Sequence, residues 1–208
     1  MKLTQFVALM SDYLGHESKT IKVVVRNLRE AGLFTTGARG VNAPDITTLD
    51  AARVAIAVVA SSSPGRAVKD VLFFGAMKPD AEGDSTDFTK QLGLDPNKKL
   101  EETLVDCLEN RTGDRSFVWH SLRLAETGEA QVIAGQVKQS YIQPDRLSYY
   151  GEAYLNEPTP ENLEEAYSEF ESCETFQRSI HVGVHRSAEL SFELLYGIGS
   201  KLIGTDDC

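Results

Sequence analysis

The chain has 208 residues, 41% hydrophobic and 25% charged, ordinary globular usage that excludes wholesale disorder. Its longest apolar run, Val54 to Ala60, falls far short of the ~18–20 residues that a membrane span needs. The net charge of −10 argues against a polyanion partner, but residues 1–78 hold ten Lys/Arg against six Asp/Glu, net +4, and residues 79–208 hold eleven against twenty-five, net −14. That step implies separate tasks for the two parts, the basic one open to a polyanion and the acidic one repelled by it.

In chain order, Leu3 to Leu14 carries Phe6, Leu9, Met10 and Tyr13 at helical spacing, with Gly15 as a stop. Ser18 is the expected cap of a second helix that runs to about Ala31, before Gly32. A loop over residues 35–44 leads to Thr47-Thr48-Leu49-Asp50, which has capping-box spacing. The helix that follows, Ala51 to Ala60, is apolar nearly all round and reads as the buried centre of its domain. Ser63-Pro64 starts a fourth helix with Val68, Val71 and Leu72 turned inward. Residues 78–96 are acidic and rich in turn formers, as a linker would be.

Beyond the linker, Pro96 to Asn110 reads as one helix, with Leu100, Leu104 and Leu108 four apart. Ser116 to Leu124 alternates as a strand does, and Thr127-Gly128 joins it in a hairpin to Gln131–Val137. One or two strands are expected over Tyr141–Tyr154, and a short acidic helix from Thr159 to about Glu171. Residues 180–185 and 189–194 read as a last hairpin. The fold class is therefore α+β: an all-α domain over 1–78, an acidic linker over 79–95, and an acidic, antiparallel β-rich domain with one or two helices over 96–208.

The second helix carries the most information. At about 100° per residue from Lys19, Ile21, Val24, Val25 and Leu28 fall at about 200°, 140°, 240° and 180°, a single apolar face. Lys22, Arg26 and Arg29 fall at about 300°, 340° and 280°, so with Lys19 they occupy a sector of about 80°. Glu30 is the one acid beside them, and Thr20 and Asn27 lie on the other flank at about 100° and 80°. A docking face backed by a single-sign cationic stripe suits phosphate contact, and helix, short turn, helix is the plan of a helix-turn-helix. The competing reading is a solvated basic face, with Arg29 paired to Asp45 or Asp50. In the loop Gly37-Ala38-Arg39-Gly40, Arg39 would reach a groove as a wing does, or the glycines merely turn the chain.

The runs Leu28-Arg29-Glu30-Ala31-Gly32-Leu33, Thr36-Gly37-Ala38-Arg39-Gly40 and Ala43-Pro44-Asp45-Ile46-Thr47 resemble a stretch found in phage and prophage helix-turn-helix DNA-binding proteins, most of them uncharacterised. The resemblance covers about residues 1–75 and none of the acidic half. It implies a bacteriophage setting, in which such a chain would be a transcriptional regulator or a small terminase subunit that marks viral DNA for packaging. Small terminases place long oligomerising helices between their parts, whereas here Pro96–Asn110 alone could serve and is short.

No enzyme is expected. No G-x-S-x-G elbow is present, and Ser61-Ser62-Ser63 reads as a cap. Cys107 lies among Leu104, Val105 and Leu108 and reads as buried and inert. His181 and His185 would share one strand face, with His120 and Cys173 able to join them, but such spacing is weak and no metal or other cofactor is expected. The cysteines, Cys107, Cys173 and Cys208, include no C-x-x-C pair, which excludes a disulfide framework and points to a reducing, cytoplasmic setting. The expected partner is double-stranded DNA, held by Lys19, Thr20, Lys22, Arg26, Asn27, Arg29 and Arg39 on a homo-oligomer, with a protein partner for 96–208. The alternative from another class is a protein–protein module, either a virion component or an acidic mimic of DNA.

Overall fold

Thr47 and Asp50 open the central helix as their spacing predicts: Thr47 Oγ1 accepts the Asp50 N–H at 3.2 Å, and the Asp50 carboxylate accepts the Thr47 N–H at 2.8 Å. The computed structural model describes residues 1–37, 44–61, 63–80, 94–109, 120–125, 128, 130–134, 137–142 and 187–204. Among them are six α-helices and a five-stranded antiparallel sheet, an α+β architecture. The helices are α1 (Leu3–Leu14), α2 (Ser18–Glu30), α3 (Thr48–Ala60), α4 (Ala67–Gly75), α5 (Leu100–Leu108) and α6 (Phe192–Ile203). The strands are β1 (Lys78–Pro79), β2 (Ser121–Ala125), β3 (Ala130–Ala134), β4 (Val137–Ile142) and β5 (Ser187–Ser191), in the spatial order β1-β4-β3-β2-β5.

The α3 helix is the hub. Ala51, Ala52, Val54, Ala55, Ile56, Ala57 and Ala60 are buried on several of its sides, so it has no solvent face of its own to lose. It packs on α1, α2 and α4 from the first part of the chain, and on α5, α6, β2 and β5 from the second. One apolar cluster runs from Phe6 to Ile198, shared between the stretches 1–78 and 96–208. Polar contacts cross the same boundary. Arg53 Nε donates to Glu101 at 2.9 Å, and Thr48 Oγ1 donates to Glu109 at 2.6 Å.

The sheet presents Leu122, Leu124, Ala130, Val132, Tyr141 and Leu190 as its buried side. The alternate positions are mostly polar: Arg123 stands opposite Glu189 in the β2–β5 register and meets its carboxylate at 3.1 Å. The β2–β3 hairpin forms as expected, with Gly128 at φ 87° in its connection.

Several expectations need correction. Ser18 does not cap α2: Glu17 occupies the cap position, and the Ser18 hydroxyl reaches back to Ser11 Oγ at 3.1 Å. Pro64 begins a 3-10 turn, Pro64–Arg66, before α4, and Leu72 is 58% exposed while Phe74 takes the inward place. Lys78 and Pro79, read as the start of the linker, pair with Ile142 and Tyr141. The helix read from Pro96 begins at Leu100 after a turn. The strand read as Gln131–Val137 ends at Ala134, and β4 starts anew at Val137. Residues 192–194, read as strand, open α6; Ser191 Oγ caps it by accepting the Glu193 N–H at 3.1 Å. The β5 strand is pinned to β2. Most of the linker, the strand residues 116–119, the acidic helix over 159–171 and the segment 180–185 lie outside the described residues.

Candidate nucleic-acid interface

The turn between α1 and α2 is stitched locally. Gly15 adopts φ 65° and donates its N–H to the Ser11 carbonyl, and Ser11 Oγ donates to the His16 carbonyl. At the other end, the Leu33 N–H reaches the Leu28 carbonyl at 2.8 Å and the Gly32 N–H reaches that of Arg29 at 3.1 Å. With Gly32 at φ 72°, this is a Schellman closure, which explains why the helix stops where it does. Arg29 in the last turn also complements the helix dipole.

Between these ends the helix splits as its periodicity predicts. Ile21, Val24, Val25 and Leu28 are buried, which fixes the rotation of α2 against α1, α3 and α4. Lys19, Lys22, Arg26 and Arg29 are all exposed. Within the described residues, the one ion pair on this face joins Arg26 to Glu30 at 3.9 Å, with the side chains 66% and 70% exposed. Such a pair is long and solvent-screened, so it leaves the stripe cationic. Asp45 and Asp50 do not take Arg29. The carboxylate of Asp45 receives the Met1 amino group at 2.7 Å, and buried Asp50 accepts the Thr35 N–H at 2.7 Å and both donors of Thr47.

The two flank residues differ from the stripe. Thr20 is half-buried. Asn27 is half-buried as well, and its Nδ2 donates to the Pro64 carbonyl at 2.8 Å. That bond docks the 3-10 turn against α2, a contact 37 positions away in sequence and not readable from helical spacing. The structure therefore brings Lys19, Lys22, Arg26 and Arg29 onto one exposed face, with Asn27 tied to the fold beside them. Arg39 lies outside the described residues.

Among the described residues, no group of three or more His, Cys, Asp or Glu is placed to hold a metal ion. Cys107 is buried, its Sγ 3.9 Å from the Phe192 carbonyl, and desolvation followed by the Asp106 charge pushes its thiol up to about 12. His120 is buried and stacks on Phe192 at 5.9 Å; His181, His185 and Cys173 lie outside the described residues. Among the described residues, no helix is long and apolar enough to cross a membrane. No protein-family model, curated protein or solved structure matches the chain.

Proposed function

We propose that this chain is a non-enzymatic double-stranded DNA-binding protein of helix-turn-helix type that contacts the phosphate backbone through α2. The observation that carries the reading is the exposed stripe of Lys19, Lys22, Arg26 and Arg29 on a helix whose opposite face is locked into the core. A cationic row on a helix whose backbone is already fixed releases counterions on meeting a duplex without the helix first having to fold. The acidic remainder, net −14 over residues 79–208, keeps the rest of the surface off the DNA. Arg39 would extend the contact toward a groove.

Within that reading, a transcriptional regulator of phage type is favoured over a small terminase subunit. The helix that would have to oligomerise, α5, spans only nine residues, and Leu100, Leu104 and Leu108 are consumed by the chain's own core. A regulator of this kind works as a dimer or tetramer on repeated half-sites; light scattering that found a larger ring would reverse the choice.

The deciding experiment is fluorescence anisotropy of the full chain on a short duplex over a salt series. The expected result is a linear fall of log K with log salt, at about 0.9 per phosphate neutralised, and loss of binding in the double variant Lys22→Glu, Arg26→Glu. Equal binding by that variant, or no binding by the wild type at low salt, overturns the reading.

A further inference from the structure

The Asn27–Pro64 hydrogen bond ties to α2 a turn that carries a further cation, Arg66. Asn27 stands at about 80° on the α2 wheel, between the Lys19–Arg26 edge of the stripe and the apolar face. The turn that it holds, Pro64–Arg66, is therefore docked on that flank of α2, with Val23 and Glu30 between Asn27 and the stripe on the wheel, and Arg66 ends it. The Arg66 side chain is 36% exposed, and its Nη2 lies 3.5 Å from Asp70, whose side chain is 5% exposed and also accepts Ser61 Oγ at 2.6 Å. A guanidinium has five N–H donors in a fixed plane. One contact to a buried carboxylate orients that plane and leaves other donors for a ligand.

We propose that Arg66, braced by Asp70, is a further phosphate-contacting residue, so that the duplex backbone is gripped by the α2 stripe and by the turn docked on the flank of α2. Asn27 is then a positioning residue: it sets how far the turn stands from α2 and reads no base. This inference rests on the DNA-binding reading above and adds to it a partner surface outside the helix.

The test repeats the salt series on Arg66→Gln, Arg66→Lys, Lys22→Gln and Asn27→Ala, each first shown by thermal melting to be folded. Arg66→Gln is expected to lower the salt slope by about 0.9, as one phosphate contact should, while Arg66→Lys keeps the wild-type slope. Asn27→Ala should weaken binding in the wild type and have no further effect in Arg66→Gln, the signature of two groups acting together. If Lys22→Gln loses slope and Arg66→Gln does not, the inference falls and DNA binding stands. If Arg66→Gln and Arg66→Lys weaken binding alike without a change in slope, Arg66 only braces Asp70 and the inference also falls. Absence of wild-type binding removes the parent reading and this one with it.

Discussion

The Cβ that an alanine would place at Gly199 falls 1.7 Å from the carbonyl oxygen of Leu108. At that point α6 meets α5 with backbone against backbone, and no flexible side chain can yield. Gly199→Ala must drive the helices apart, at an expected cost of about 3 kcal/mol or more. Gly65→Ala, whose Cβ would meet only Ser63 Oγ at 3.7 Å, should change stability little. Urea melts of the two variants check this contact, and a wild-type midpoint for Gly199→Ala would refute it.

Leu104 and Leu72 make a second contrast. Leu104 is fully buried in α5, whereas Leu72 on α4 is 58% exposed. Leu104→Ala should cost about 2–5 kcal/mol through lost burial and the cavity left behind. Leu72→Ala should cost less than about 0.5 kcal/mol. Comparable losses in denaturant titration would place Leu72 inside after all.

Asp50 is buried at 2% exposure and serves Thr35 and Thr47 together. Replacement by alanine strands the Thr35 and Thr47 N–H groups, at about 1–3 kcal/mol for each donor left without an acceptor. Thr47→Ala removes the helix cap, about 1 kcal/mol, and the hydroxyl hydrogen bond to Asp50, but leaves Asp50 to accept the Thr35 and Thr47 N–H groups. Calorimetry should thus rank Asp50→Ala well below Thr47→Ala in stability; the reverse order would show that Asp50 is not the anchor of this loop.

Acid should weaken the β2–β5 edge. The Ser121 hydroxyl hydrogen bond, and then the Arg123 guanidinium, hold the Glu189 carboxyl below its ordinary value of 4.5. A carboxyl with a depressed folded value contributes stability above its unfolded value and loses it as pH falls through the folded one. The stability gap between wild type and Glu189→Gln should therefore be open at neutral pH and close below 4.5. Because both side chains are 48% exposed, the gap should be small and should shrink in high salt. A gap that stays constant into acid would dissociate Glu189 from this pair.

Much of the helical half was legible because its burial follows a period of 3.6. The bounds of α1, the Thr47–Asp50 cap of α3, the Leu100–Leu104–Leu108 row and the division of α2 into apolar and cationic faces all rest on that spacing. The α6 helix was not legible. Its start at Phe192 follows the alternating run of β5, and Gly197 and Gly199 lower its helix propensity. The requirement for glycine there comes from Tyr13 and Leu108, neighbours distant in sequence. Leu72 fails for a related reason: a helical wheel places it near Val68 but cannot say which flank of α4 is covered. The candidate interface divides in the same way. Its cations follow from spacing along one helix, whereas the engagement of Asn27 by Pro64 arises from tertiary packing.

The α3 helix gives the basic and acidic parts a common fate. The helix that carries the stripe rests on α3, and α3 rests on α5, α6 and two strands, so a fragment ending at residue 78 would leave much of that surface bare to water. The described elements should melt in one cooperative transition. Backbone amides of α3 should be among the slowest to exchange with solvent. A duplex captured on α2 would then slow exchange in α5 as well, although no phosphate comes near that helix, because binding to the folded state alone stabilises everything that unfolds with it.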